Sequence, residues 1–242
     1  MVVSSDMKFE YYCQGRGESL LFLGGANTTI RFYQRFLTAL SRYYKVYFFN
    51  YPGFGQTDHP ICHDLPTYLT AVDQFIHNHR LKNFHLAGSS FGGYLAVTYA
   101  YLKQPKIKSL ILFSPLTRLP SHTLLGMAAR MIKGHLHKSS HNNQSFTSNM
   151  FNWSNFQDAR EKLRHSMFVI SCELSPSAVQ DTIPTLVILG EKDRVVDNAY
   201  TQTLFSGHKN IKVVILLDQG HNGFATIGDK IFDLLTSFTN RL

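Results

Sequence analysis

The stretch from Asn83 to Tyr94, NFHLAGSSFGGY, breaks an apolar run with a glycine, two serines and two more glycines before a helix-like segment begins. Within it, Gly88, Ser90 and Gly92 form a G-x-S-x-G pattern. Small residues two before and two after a serine leave room for a strained turn that holds the hydroxyl at its tip, where it can act as a nucleophile. A helix that starts at such a turn points its N-terminus at the serine, which favours a developing oxyanion, and the Phe91 backbone N–H would donate to it. The competing reading is a plain glycine turn with a spectator serine, and the pattern alone does not decide between them.

The surrounding elements supply the context. Short apolar runs recur at FEYY from Phe9, SLLFLGG from Ser19, KVYFFNYPG from Lys45, FHLAG from Phe84, SLILFSP from Ser109, TLVILG from Thr185 and VVILL from Val213. Runs such as LILF and LVIL are apolar at every position, which a strand covered on both faces needs, so they read as parallel strands. Helical spacing lies between them. Phe32, Phe36, Leu37 and Leu40 fall on one face of a helix from Ile30, and Leu69, Val72, Phe75 and Ile76 on one face of a helix from Tyr68. FGGYLAVTYAYLK opens a helix straight from the glycine turn, and FATIGDKIFDLLTSFTNRL closes the chain. Alternating strands and helices predict an α/β domain with a mostly parallel, doubly wound sheet, whose ligands bind at the carboxyl ends of the strands.

From about Leu116 to Ile183 the alternation stops, with helical stretches around Ser121 to His137 and Phe156 to Cys172. That is too long for an ordinary connection, so a helical lid over residues 116–183 is expected, inserted between core segments 1–115 and 184–242 of one domain spanning residues 1–242. The lid carries Met127, Met131, Phe146, Met150, Phe151, Trp153 and Phe156, mostly for packing, and Arg118, Arg130 and Lys133, which read better as a solvated face than as anion contacts.

The chain resembles the α/β-hydrolase fold family over nearly all its length, in its serine hydrolase branch with a helical lid. In that family an acid follows the strand after the lid, and Asp193 in Glu191-Lys192-Asp193-Arg194 matches it; a base follows the last strand, and His221 in Gln219-Gly220-His221-Asn222 matches that. The resemblance implies a triad of Ser90, His221 and Asp193, with Asp197 the nearby alternative carboxylate. Leu23-Gly24-Gly25-Ala26-Asn27 occupies the family's oxyanion turn, which implies the Ala26 N–H as the second donor beside Phe91; Gly24 stands where the family usually has histidine. Asn50-Tyr51-Pro52-Gly53-Phe54-Gly55-Gln56-Thr57 resembles the family's D-x-P-G-x-G-x-S segment, a structural loop beside the site with Phe54 near a ligand. Ser89 receives no chemical role.

The implied activity is cleavage of a carboxylic ester through an acyl-serine, with no cofactor and no metal. A thioesterase, a C–C bond hydrolase or an acyltransferase would use the same triad. A non-catalytic binding module on the same fold is the reading from another class. His59 and His63, or His135 and His137, lack a zinc-ligand pattern and read as surface histidines.

Composition narrows the partners. Hydrophobic residues at 44% and charged residues at 17% are those of a globular protein. The +8 formal charge comes from scattered basic residues with no nucleic-acid module, so a small-molecule acyl substrate is expected rather than nucleic acid, and a homodimer stays open. The three cysteines, Cys13, Cys62 and Cys172, form no pair motif, no apolar run reaches membrane-spanning length, and the N-terminus lacks a signal-peptide pattern. A cytoplasmic address follows, with leaderless secretion the alternative.

Overall fold

The computed structural model describes residues 7–60, 62–103, 106–120, 159–226 and 228–242. Its strands are β1 (Tyr11–Gln14), β2 (Ser19–Leu23), β3 (Lys45–Phe49), β4 (Phe84–Ser89), β5 (Ile107–Phe113), β6 (Thr185–Gly190) and β7 (Ile211–Leu216), in the sheet order β1-β3-β2-β4-β5-β6-β7. All neighbours pair in parallel except β1, which runs antiparallel to β3 with Tyr11 opposite Phe49. The sheet is thus mostly parallel, as expected, and β1 is its one antiparallel edge, because the short link over residues 15–18 can reverse the chain but is too short for a parallel crossover.

The helices are α1 (Ile30–Leu40), α2 (Leu65–Asn78), α3 (Phe91–Lys103), α4 (Ala159–Ser171), α5 (Asn198–Phe205) and α6 (Asp229–Thr239). They cover both faces of the sheet, which is why its central strands are mostly apolar and buried, with His85, Ser109 and Thr185 as buried polar positions toward their starts. Leu20, Phe22, Ala87, Ile111, Phe113, Leu186 and Ile188 point into one core, against Tyr33, Phe36, Leu37 and Leu40 of α1 and Ile231, Phe232 and Leu235 of α6. Their alternates Leu21, Leu23, Leu86, Leu110, Leu112, Val187 and Leu189 point into the other, against α2 and α3. On α1, Phe36, Leu37 and Leu40 are buried as expected, but Tyr33 takes the fourth buried position and Phe32 is exposed.

Helix ends are set locally. Asp64 caps α2 by accepting from the Thr67 N–H, with Pro66 in the first turn, and Asp197 caps α5 through the Tyr200 N–H. Helix α4 matches the second helical stretch expected in the lid, and beyond it the Leu174 N–H bonds the Thr117 carbonyl at 2.7 Å, tying the segment after α4 to the loop after β5. The first such stretch, with the lid methionines and aromatics, Arg130, Lys133, His135 and His137, lies outside the described residues. No helix among the described residues is long and apolar enough to cross a membrane.

Candidate active site

Strand β4 is buried along its whole length and ends at Ser89, so Ser90 stands between strand and helix with φ at +53°. Left-handed backbone on a non-glycine residue is strained, and the surroundings hold it. The Ser90 N–H donates to the Phe113 carbonyl of β5 at 2.9 Å, and the Ser90 carbonyl accepts from Gly93, Tyr94 and Leu116. The flanking glycines are required by close backbone approach: a Cβ on Gly88 would sit 2.3 Å from the Gly92 carbonyl oxygen, and one on Gly92 would sit 2.1 Å from the Leu23 carbonyl oxygen. The turn that contains Ser90 is thus wedged against the end of β2.

Asp193 and His221 come together from loops after β6 and β7. His221 Nδ1 lies 2.7 Å from Asp193 Oδ2, and both side chains are buried. The other carboxylate oxygen accepts from the Val195 and Val196 N–H groups at 2.8 and 3.3 Å, which fixes the acid in its loop. Burial pushes the Asp193 carboxyl up, but His221, the Val195 N–H and the Ser114 hydroxyl outweigh it and hold the group below its ordinary value. A carboxylate at Nδ1 places the imidazole proton on that nitrogen and leaves Nε2 as the basic one. The loops meet because residue 190 is glycine: a Cβ there would stand 2.4 Å from the Gly220 carbonyl oxygen, and the neighbouring Lys192 N–H donates to the Gln219 carbonyl at 2.7 Å. Asp197 is engaged elsewhere, capping α5 and accepting from both Nε and Nη2 of Arg118 at 2.9 and 2.7 Å. Arg118 thereby ties the loop after β5 to the loop after β6.

The turn after β2 reaches Ser90 from the other side. An ideal Cβ on Gly25 would lie 3.5 Å from Ser90 Cβ, and Ala26, next in the chain, is buried. In the loop after β3, Asn50 accepts from the Ile30 N–H at 2.8 Å and donates to Glu10 at 2.7 Å, while the Thr57 hydroxyl donates to the Asn50 carbonyl at 2.9 Å. Asparagine and threonine therefore still brace this loop. Phe54 is fully buried, with its ring 4.9 Å from that of His165 on α4.

Sequence reading missed Ser114 beside Asp193, and a buried chain linking α2 to α4. Tyr68 Oη lies 2.7 Å from His63 Nδ1 and 2.5 Å from His165 Nδ1, and His63 Nε2 lies 3.4 Å from Glu161. His63 is therefore no surface histidine; its imidazole is buried by the returning helix, which no local pattern signals. The His165 ring also meets Phe91, the residue after Ser90, at 5.5 Å. Among the described residues no group of three or more His, Cys, Asp or Glu is placed to hold a metal ion.

Comparison with known proteins carries this further: a family model described as "Serine aminopeptidase, S33" matches residues 16–221. The chain belongs to this family of α/β-hydrolases. It is a hydrolytic enzyme by that membership. The hydrolase is 24% identical to the AB hydrolase superfamily protein YisY of Bacillus subtilis, over 93% of each chain. It is 25% identical to a Mycoplasma pneumoniae protein with an esterase/lipase name, over 80% of this chain and 78% of the relative. Among solved structures it superposes on a thermophilic esterase from Thermogutta terrifontis with a TM-score of 0.73, at 16% identity over 97% of this chain and 94% of the other. An epoxide hydrolase from Bacillus megaterium gives a TM-score of 0.77, at 14% identity over 99% of both. At such identities the likeness is one of fold.

Proposed function

We propose that this hydrolase cleaves a carboxylic ester by acyl transfer to Ser90. His221 Nε2 takes the Ser90 proton as the hydroxyl oxygen attacks the ester carbonyl. The Phe91 and Ala26 N–H groups receive the oxyanion of the tetrahedral intermediate. Collapse breaks the C–O bond, and the alcohol leaves with the proton from His221. Water, deprotonated by the same imidazole, then attacks the acyl-serine and restores the enzyme. Asp193 holds the tautomer and stabilises the imidazolium. In this reading α4 forms part of the lid that shapes the acyl pocket.

The observation that carries this reading is the buried 2.7 Å bond between His221 Nδ1 and Asp193, made by residues of two separate loops at the strand ends where Ser90 also stands. A spectator serine would need no such oriented imidazole. The experiment is a fluorophosphonate reaction with turnover of nitrophenyl esters of graded acyl length, native chain beside Ser90→Ala. Labelling at Ser90 and ester turnover lost in the variant are expected. Rapid turnover of acyl-thioesters with negligible ester turnover would move the substrate class to thioesters, which the +8 charge would suit when the acyl carrier is anionic. No labelling at Ser90 in folded protein would favour a binding module.

A further inference from the structure

Resting on that reading, the turn after β2 raises the question of what aims the Ala26 N–H now that Gly24 stands where the family usually has histidine. A side chain at position 24 has no room here: its Cβ would lie 2.9 Å from both Phe48 Cζ and Thr28 Oγ1. Three other side chains instead grip the turn through its peptide planes. The Tyr51 hydroxyl donates to the Gly24 carbonyl at 2.8 Å, and the Gly25 N–H donates to the Tyr33 hydroxyl oxygen at 3.1 Å. Gly24 C=O and Gly25 N–H belong to one planar peptide unit, so two tyrosines fix that plane from its opposite edges. The Thr28 hydroxyl donates to the Gly25 carbonyl at 2.7 Å. That carbonyl shares the next peptide unit with the Ala26 N–H, and in a trans unit the two point in opposite directions, so holding one directs the other.

We infer that Thr28, Tyr33 and Tyr51 are positioning residues for the oxyanion site, orienting the Ala26 N–H through two clamped peptide planes. All three are buried, so their bonds do not compete with bulk water. Burial pushes both phenols above the usual tyrosine range, which keeps their hydroxyls protonated at any working pH. The rings are fixed as well. Tyr33 lies edge-on to Phe22 at 5.0 Å, and Tyr51 lies edge-on to Phe91 at 5.7 Å. Tyr51 therefore touches the residues behind both oxyanion donors, bonding the turn before Ala26 and packing on Phe91. The Tyr33 hydroxyl also faces Ser89, which links the clamp to the strand that carries the nucleophile.

The test measures kcat and KM for ester hydrolysis in Thr28→Val, Thr28→Ser, Tyr33→Phe and Tyr51→Phe, with Tyr44→Phe as a control that deletes the distant buried bond to Thr239. The oxyanion exists only in the transition state, so kcat should fall about tenfold or more in Thr28→Val, Tyr33→Phe and Tyr51→Phe, with KM changed by less than about twofold. Thr28→Ser, which keeps the hydroxyl, and Tyr44→Phe should retain the native kcat. A merely structural role would lower thermal stability in all the hydroxyl-deleting variants, Tyr44→Phe included, without this kcat-only pattern. If a tyrosine variant does not fold, the near-isosteric Thr28→Val and Thr28→Ser pair decides. Native kcat in folded Thr28→Val overturns the clamp while ester hydrolysis stands. Absence of Ser90-dependent turnover in the native chain removes the reading beneath it and the clamp with it.

Discussion

Asp193 and Asp197 sit in one loop, and their surroundings give them different roles. Asp193 is buried against His221, whereas Asp197 caps a helix and pairs with Arg118 at the surface. Asp193→Asn should preserve the packing but lose the charge that orients and stabilises the imidazole, lowering kcat by about four orders of magnitude, as the same change does in a serine protease triad. Asp197→Asn should leave kcat within about twofold, because asparagine caps a helix as well as aspartate does and only the solvent-exposed pair with Arg118 is weakened. Parallel kinetics on the two variants check this, and an Asp197→Asn loss rivalling that of Asp193→Asn would reassign the acid. Ser90 was legible in the sequence because its neighbours must be glycine for backbone reasons that hold wherever the turn occurs. Thr28, Tyr33 and Tyr51 were not, because a hydroxyl finding a carbonyl depends on how a helix and a loop dock. Beside Phe36, Leu37 and Leu40, helical spacing admits either Phe32 or Tyr33 on the buried face of α1, and only packing selects Tyr33.

The Tyr68 hydroxyl of α2 lies between two imidazoles, His63 just before that helix and His165 on α4. A neutral Tyr68 has one proton, so its Oη donates to one Nδ1 and accepts from the other, and the bridge needs His63 and His165 in complementary tautomers. Helix α4 also rests on Phe91 through Phe168 at 5.9 Å, so loosening it loosens the wall beside Ser90. Tyr68→Phe keeps the ring packing and removes the bridge from both buried imidazoles. It should destabilise the protein by about 1–3 kcal/mol in urea unfolding and speed amide exchange along α4. A loss below about 0.5 kcal/mol would mean that apolar packing alone holds the helix. Strands and helices were readable here because continuous apolar runs and helical spacing follow from covering a sheet on both faces. The direction of β1 was not readable, since it is set by the length of a link rather than by any strand residue. Nor was the contact of α4 with α2, which joins residues far apart in the chain.

Across the molecule, several imidazoles are packed where a charge is costly. His63, His79, His85 and His165 all have pKa values lowered from the ordinary histidine value, chiefly because burial disfavours the cation, and for His165 the shift is large. Neighbouring carboxylates oppose the shift at two of them. Glu161 does so at His63 and Glu18 at His85, where His85 Nε2 lies 2.8 Å from Glu18 and Nδ1 lies 2.8 Å from the Ser109 hydroxyl. For a base with a depressed folded pKa, the unfolded chain binds more protons between the folded value and the ordinary value near 6.5. Stability therefore rises with pH through that window and is lost as pH falls below about 6.5. Protonation also adds to a chain that already carries +8, so self-repulsion acts in the same direction. Asp193, whose folded pKa is lowered, contributes in a separate window further down, losing its share as pH falls below the ordinary carboxylate value and through its folded one. The urea midpoint should accordingly fall between pH 7 and pH 5, before carboxylates titrate. Added salt should weaken the part due to repulsion and leave the part due to burial, because buried groups are screened much less than exposed ones. A midpoint unchanged from pH 7 to pH 5 at high salt would mean that these imidazoles take up protons in the fold as readily as in the open chain, which their burial contradicts.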